Sequence, residues 1–426
     1  MFAAILASVL LLGQVPDGPA SHDGEGVVLK LPDKLRPIMD MVGAAPPEFG
    51  ASALARMLES GAIDDPPTRR ELTERTFQLA ALAHDGWRVR AMPGAGLLAA
   101  TRALAGKLEL DRLSLQARAV RLMLPLHKRR ARDLFLEIPK PAPEPLTCDD
   151  WVGADLGDFY STLGRVVDQT FTPAEKRHED DIHLAIDYLG AITSPLQFQP
   201  ALRMVLGLDV KPEQRQLLLV KLGSAMAAVS ADDRSFASVS AALTPDLPTE
   251  LVPAFQRFVV SHGTASRCVA PDPANNSEAQ SDEEKRIASD EMNLMFTRGT
   301  LVSRTERAGP EFQQHLEDFL DEMAGWRQSP DEPDATFYHR RMSVYQGLLD
   351  VTSGALRARL IDDMVQFALS SGLERDAPAE WFLELKTADE RVRWGSVPGP
   401  DVLNGFERSG HPVLVLAAAL ERALGK

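Results

Sequence analysis

The densest group of side chains that could carry out chemistry is the run Arg-His-Glu-Asp-Asp-Ile-His at residues 177–183. It begins like the zinc-protease motif His-Glu-x-x-His, in which two histidines four residues apart share one face of a helix. Here the two histidines, His178 and His183, are five residues apart. On a regular helix they would stand about 140° apart, so together they cannot bind one metal ion.

Two half-sites for a metal remain in this run, His178 with Asp181 and Glu179 with His183. Either pair could supply half of a metal centre if a second helix supplied the rest, as in di-iron bundles. The simpler interpretation is a first-turn histidine beside a solvated acidic face, whose carboxylates the helix N-terminus stabilises. We favour the simpler interpretation, because the sequence offers no matching motif on another helix. It therefore predicts no metal and no cofactor.

No sequence motif for a nucleophile or a nucleotide is present. The chain has neither the Gly-x-Ser-x-Gly turn of serine hydrolases nor a Gly-x-Gly-x-x-Gly phosphate loop. Ser261 and His262 are sequence neighbours, which does not indicate a catalytic triad. The run Tyr-His-Arg-Arg at residues 338–341 could bind an anion through its arginines, but nearby Glu332 and Asp334 favour intrahelical ion pairs.

The charge balance argues against a nucleic-acid partner. The net charge is −15 at pH 7 and the pI is about 5.1, and an acidic surface repels phosphate backbones. The local exception is a basic cluster formed by Lys128, Arg129, Arg130 and Arg132. We interpret this cluster as a solvated helix face near a helix C-terminus.

The chain contains two cysteines, Cys148 and Cys268. They do not form a Cys-x-x-Cys pair, which excludes a zinc ribbon and a thioredoxin-like motif. In an exported protein the oxidising environment permits one disulfide between them, provided that their Cα atoms come within about 7 Å. Two unpaired thiols are the alternative.

The N-terminus resembles a secretory signal. Residues 2–13 are largely apolar, which is the length of a signal-peptide core and too short for a membrane span of about 20 residues. No lysine or arginine precedes the run, so a trimmed start or an apolar N-terminal core helix is the alternative. We expect residues 1–20 to be a signal peptide, the protein to be exported to the periplasm or the medium, and no other transmembrane anchor.

The rest of the sequence predicts an all-α fold. Leucine and alanine are abundant and aromatics make up only 6 % of the chain, a mixture that suits helix packing better than sheets. Successive segments open with proline and repeat apolar residues at helical spacing. We expect packed helical hairpins, loosely repeated, bundle-like or like a short α-solenoid. Single helices are predicted over 111–137, kinked at Pro125, and over 173–192 and 401–424; the best strand signal is at 26–31.

Composition shifts divide the chain into regions. A stretch with proline at alternate positions is extended and stiff, and a polar stretch poor in apolar residues indicates a flexible loop. The predicted regions are an N-terminal helical region at 31–138, a proline-rich connector at 139–147, a middle helical domain at 148–262, a flexible polar loop at 263–284 and a C-terminal helical region at 285–426.

The hairpin at residues 46–83 carries a family resemblance. Its phrases Ala-Leu-Ala-Arg-Met-Leu-Glu-Ser-Gly and Arg-Arg-Glu-Leu resemble a segment of uncharacterised, exported, all-helical bacterial proteins. The resemblance implies an exported helical protein. No activity is attached to that group, so it gives no functional residue.

Two functions from different classes are consistent with this pattern. The first is a non-enzymatic helical scaffold or binding protein of the cell envelope, which would hold a protein or envelope partner on surfaces between stacked hairpins. The alternative is a helical enzyme, possibly metal-dependent, whose site is assembled from distant residues. Because the sequence lacks local catalytic motifs, we favour the first and expect no enzymatic activity.

Overall fold

The computed structural model describes most of the chain from residue 29 onward. The described residues are 29–83, 88–90, 109–143, 145, 150–152, 156–230, 233, 247–265, 312–328, 334–349, 352–370 and 400–425. The predicted signal peptide at 1–20 and the two cysteines of the predicted disulfide, Cys148 and Cys268, lie outside these residues.

The described residues form sixteen α-helices. These are α1 (Arg36–Ala44), α2 (Pro47–Glu59), α3 (Pro66–Ala81), α4 (Arg112–Met123), α5 (Lys128–Glu137), α6 (Leu156–Thr170), α7 (Pro173–Arg177), α8 (Asp180–Gly190), α9 (Phe198–Gly207), α10 (Pro212–Ala228), α11 (Val252–Ala265), α12 (Phe312–Gly325), α13 (Asp334–Leu349), α14 (Gly354–Ser370), α15 (Pro400–Ser409) and α16 (Pro412–Leu424). Short 3-10 helices at Asp33–Leu35, Pro195–Gln197 and Thr249–Leu251 precede α1, α9 and α11.

Consecutive helices pack against each other along the chain. Contacts join α2 with α3, α3 with α4, α13 with α14, and α15 with α16. The predicted all-α, bundle-like fold of packed helical hairpins is confirmed. The only sheet in the described residues is a ribbon of two three-residue strands, β1 (Arg88–Arg90) and β2 (Asp150–Val152), which pair antiparallel. The described end of the segment expected as a strand, residues 29–31, is not a strand.

The helix predicted over 111–137 is two helices. α4 ends before Pro125 and α5 begins after it, because proline lacks the backbone N–H of the helix ladder and its ring clashes with the preceding turn. His127 starts the second helix, since its Nδ1 accepts a hydrogen bond of 3.0 Å from the backbone N–H of Arg130. The expectation of one kinked helix was therefore wrong.

The helix predicted over 401–424 is also interrupted. α15 ends at Ser409 and α16 begins at Pro412. Between them Gly410 has φ +65°, a left-handed conformation that glycine adopts without a steric cost. Proline then occupies the first position of the new helix, where its missing N–H has no helical partner to lose.

A first hydrophobic core joins the beginning of the chain to its end. α1 and α2 pack on α16, and the buried Leu35 and Leu54 belong to the same apolar cluster as Leu414. At the edge of this cluster Arg56 of α2 donates a hydrogen bond to the carboxylate of Glu421 of α16. The same cluster includes buried residues of α12, α13 and α14.

A second core holds the middle of the chain. The rings of Phe135 and Phe159 stack with centroids 5.1 Å apart, and Tyr188 lies 5.3 Å from Phe135. These rings bring α5, α6 and α8 together, and such ring pairs stabilise beyond their burial alone. The predicted domain boundaries at 139–147 and 263–284 stay predictions.

The buried amide of Gln197 connects three segments around this second core. Its Oε1 accepts hydrogen bonds from the backbone N–H groups of Thr193 and Ser194, at 2.8 and 3.0 Å. Its Nε2 donates to the carbonyl of Pro141 in the proline-rich connector and to the hydroxyl of Tyr160 on α6, at 3.0 and 3.1 Å. One side chain therefore forms hydrogen bonds with groups of a turn, of the proline-rich connector and of α6.

Two helices of the first core approach closely at Gly405 on α15. A Cβ atom at this position would lie 2.5 Å from Cγ2 of Ile361 on α14, and Ile361 is fully buried. Only glycine allows this spacing without displacing the helices. Across the described part of the chain, no helix has both the length and the apolar character needed to cross a membrane.

We expect Gln197→Leu to lower the free energy of unfolding by about 3 kcal/mol, because buried backbone groups and a tyrosine hydroxyl lose their partners. Urea denaturation measures the change. Gln216→Leu, at an exposed position of α10, is the matched control and should change stability by less than about 0.5 kcal/mol. Equal effects of the two substitutions would contradict the role given to Gln197.

Two glycine-to-alanine substitutions should act in opposite directions. Gly405→Ala should destabilise the protein by about 1–3 kcal/mol through overpacking against Ile361. Gly347→Ala, in α13 with nothing within 4 Å of the added Cβ, should stabilise it by about 0.5–1 kcal/mol by favouring the helix. Thermal denaturation compares them, and a stabilising Gly405→Ala would show that α14 and α15 are not closely packed.

Candidate functional site

A pocket of about 360 Å³ lies between α12, α13 and α14. Its apolar wall comes from Leu320 and Met323 of α12, which are buried members of the first core. Its polar wall comes from Arg341 and Tyr345 of α13 and from Asp363 of α14. Pockets that combine apolar walls with a few fixed polar groups are typical ligand sites.

Arg341 is held in the pocket wall by three kinds of contact. Its Nη1 donates to the backbone carbonyl of Trp326 at 3.1 Å. Its Nε and Nη2 donate to the hydroxyl oxygen of Tyr345 at 3.4 and 3.2 Å. The guanidinium carbon lies 4.4 Å from the ring centre of Phe367, a cation–π distance. Arg341 is therefore a cation fixed in one position.

Tyr345 is a buried hydroxyl group beside this cation. The residue is 2 % exposed, and burial raises the pKa of its hydroxyl group while Arg341 acts in the opposite direction. Its oxygen accepts from Arg341, so its own proton is left to donate. Among the described residues, no group accepts a hydrogen bond from this hydroxyl.

Two further charged groups lie at the pocket edge. Burial raises the pKa of Asp363, which also faces Arg359 with a nitrogen–oxygen distance of 3.8 Å. Arg327 is exposed, and its Nη1 donates to the carbonyl of Ala324 at 3.0 Å. The pocket thus has two guanidinium groups and one carboxylate.

The arginine run at 338–341 contributes to this pocket through Arg341. Within the described residues, Arg341 donates hydrogen bonds to Trp326 and Tyr345. The ion pairs predicted with Glu332 and Asp334 are not tested, because Glu332 and the side chain of Asp334 lie outside the described part of the chain. Anion binding and intrahelical ion pairs therefore both stay predictions for this run.

The four metal candidates do not lie on one regular helix. α7 ends at Arg177 and α8 begins at Asp180, and Glu179 between them has φ +60°, a left-handed conformation that a non-glycine residue rarely adopts. The continuous helix predicted over 173–192 was therefore wrong, and His178, which lies between the two helices, is exposed.

The four candidate side chains also have separate surroundings. Asp181 is buried and its Oδ1 has no hydrogen-bond partner, whereas Glu179 is exposed and accepts from Nε2 of Gln214 at 3.0 Å. His183 lines a shallow depression together with Lys140 and other residues. Within the described ranges, no three side chains of His, Cys, Asp or Glu are grouped closely enough to hold a metal ion.

The basic cluster begins a helix and does not end one. Lys128 and Arg129 are exposed, as a solvated face requires, but the cluster forms the first turns of α5. Arg130 binds both carboxylate oxygens of Glu74, at 2.7 and 2.8 Å, and Glu137 at 2.9 Å. The expected position near a helix C-terminus was therefore wrong.

Arg132, the last member of the cluster, pairs with Glu175 of α7. Its Nη2 donates to Glu175 at 2.9 Å, and its guanidinium carbon lies 4.4 Å from the ring centre of Phe171. The hydrogen bond from Arg132, followed by those from Thr172, lowers the pKa of Glu175 to about 2. Glu175 and Thr172 also form the capping box of α7.

A second group of polar side chains lies in the middle core, and the sequence did not predict that its members would meet. Nε2 of the buried His262 lies 2.9 Å from the carbonyl oxygen of Ser230, and the hydroxyl of Ser194 donates to Asp233 at 2.7 Å. Ser261 is 3.1 Å from Nδ1 of His262. These bonds fix residues 230 and 233 to α11 and to the start of the 3-10 helix before α9, and we assign them a structural role.

Comparison of the chain with protein-family models, curated proteins and solved structures finds no match. The geometry of the pocket therefore carries the functional argument. The run at 338–341 pointed to Arg341, but Tyr345, Phe367 and Asp363 were missed, because only the packing of α13 on α14 brings them together.

We expect the ion pair of Glu175 to make stability depend on pH in a defined window. Because the pKa is lowered in the folded state, the stabilisation is complete above about pH 4.5 and is lost as the pH falls toward 2. The difference in melting temperature between the wild type and Glu175→Gln should shrink over that range.

Glu213→Gln is the matched control for this measurement, since Glu213 is also an acid in the first turn of a proline-started helix but is exposed. Its effect on the melting temperature should be smaller at neutral pH. If Glu175→Gln has the same effect at pH 2.5 and at pH 7, the ion pair with Arg132 does not stabilise the fold.

Proposed function

We propose that this protein is a non-enzymatic helical binding protein of the cell envelope, and that the pocket between α12, α13 and α14 receives its ligand or a side chain of its partner. The observation that carries the proposal is the pocket itself, in which Arg341 and the buried hydroxyl of Tyr345 face apolar walls. Its volume of about 360 Å³ falls within the ~300–1,000 Å³ of ordinary ligand pockets.

The construction of the walls supports this assignment. Leu320 and Met323 are buried in the first core, which also contains residues of α1, α2 and α16. Arg341 is fixed by Trp326 and Phe367. A site built on packed helices keeps its shape in the absence of ligand, which reduces the entropy cost of binding.

The location in the envelope rests on the N-terminal sequence. The apolar run at residues 2–13 has the length of a signal-peptide core, which supports export to the periplasm or the medium. The partner is accordingly a protein or a small molecule outside the cytoplasm. A helical enzyme with a site assembled from distant residues is the alternative, and metal analysis of the purified protein addresses its metal-dependent form.

A neutral fluorescent probe tests whether the pocket binds ligands. We expect N-phenyl-1-naphthylamine, which brightens in apolar surroundings, to bind the wild type. Ala324→Trp places a large ring at the exposed mouth of the pocket and should weaken this binding about tenfold, because it fills the space that the probe needs. A fluorescence titration measures the affinity.

Ala355→Trp provides the matched control. Ala355 is also an exposed helical alanine, near the start of α14 and outside the pocket lining, so its substitution should leave the affinity unchanged. If both variants bind the probe as the wild type does, or if the wild type does not bind it, the pocket is not a binding site and the proposal fails.

A further inference from the structure

The chemical class of the ligand follows from the polar groups that the pocket leaves available. Tyr345 is 2 % exposed and lines the pocket. Its oxygen already accepts from Arg341, so it can act toward a ligand only as a donor. A buried donor without an acceptor is costly, and a ligand that supplies an acceptor oxygen removes this cost.

The charges that line the pocket favour an anion. Arg327 and Arg341 contribute two positive charges and Asp363 contributes one negative charge, which leaves one net positive charge. This local excess contrasts with the whole chain, whose net charge is −15. Guanidinium groups bind carboxylates through charge-assisted hydrogen bonds.

The size of that excess favours a single negative charge. A dianion such as a phosphate ester would leave one charge uncompensated and would face the carboxylate of Asp363. Asp363 is only half-buried, and the nearby Arg359 favours the negative charge of its carboxylate. This carboxylate would repel a second negative charge on the ligand.

The remaining walls accommodate an apolar body. Leu320 and Met323 are buried side chains of α12, and Phe367 presents an aromatic ring from α14. We infer that the ligand is a monocarboxylate joined to an apolar group of about the size of one ring, with the hydroxyl of Tyr345 donating to the carboxylate. This inference rests on the proposed function and specifies the ligand of the same site.

Two small probes of equal shape test the inference on the full chain. The first is 3-phenylpropanoate, which has the inferred carboxylate, and the second is 3-phenylpropanamide, which has the same body without the charge. We expect the carboxylate to bind about tenfold more tightly, because only it forms charge-assisted hydrogen bonds. Isothermal titration calorimetry or displacement of the naphthylamine probe measures both affinities.

Three variants test which residues cause the tighter binding of the carboxylate. Arg327→Gln changes an exposed side chain and should weaken carboxylate binding about threefold without changing amide binding, because it removes only the charge attraction. Tyr345→Phe should weaken carboxylate binding about tenfold by removing the donor. Arg36→Gln removes the same charge from an exposed arginine outside the pocket and should change neither affinity.

The outcomes separate this inference from the proposed function. The carboxylate assignment is contradicted if the amide binds as tightly as the carboxylate, or if Arg327→Gln and Arg36→Gln have the same affinity for the carboxylate. Either result leaves the proposed binding function of the pocket intact. If neither compound binds and the naphthylamine probe is insensitive to Ala324→Trp, the proposed function fails together with the inference. Tighter carboxylate binding that depends on Arg327 and Tyr345 supports both.

Discussion

The packing of the middle helices depends on the hydrogen bonds of one buried side-chain amide, that of Gln197. A buried amide has to find both acceptors and donors, because leaving them unpaired costs more than the bonds gain. Gln197 meets this constraint by binding a turn, the carbonyl of Pro141 and the hydroxyl of Tyr160. Nearby, Ser194 binds Asp233. The course of the connector, the orientation of α6 and the start of α9 are therefore set by polar bonds as much as by apolar packing.

The sequence was sufficient to predict several helix starts that open with proline, but not the interruptions inside long helical segments. Pro47, Pro66 and Pro212 mark starts that the structure keeps, because the preference of proline for the first turn is local. The interruptions at Glu179 and Gly410 were missed; both lie in short polar stretches inside segments that were predicted as single helices. Gly410, followed closely by a proline, carried a recognisable signal. The left-handed conformation of Glu179 did not, since glutamate has no preference for it.

Prediction of the candidate site from the sequence was also limited, because the site combines residues of different helices. Arg341 stood out from the sequence because of its charge, whereas Tyr345 and Phe367 look like ordinary helical core residues. What makes them a site is the packing of α13 on α14 and the carbonyl of Trp326, which lies in the segment after α12. Contacts between helices leave no local trace in a single sequence. The histidines at 178 and 183 were conspicuous for the opposite reason, since they are close along the chain but belong to no group of three possible metal ligands in the described residues.

The contact between Arg56 and Glu421 has a consequence for the synthesis of the chain. The two residues are 365 positions apart, and they lie at the edge of the core that α1 and α2 share with α16. At about 5–20 residues per second, the ribosome completes α16 roughly 20–70 s after α2. During that interval α1 and α2 have been made but α16, which packs on both of them, has not. The core that α1 and α2 share with α16 can therefore be completed only when nearly the whole chain has been synthesised.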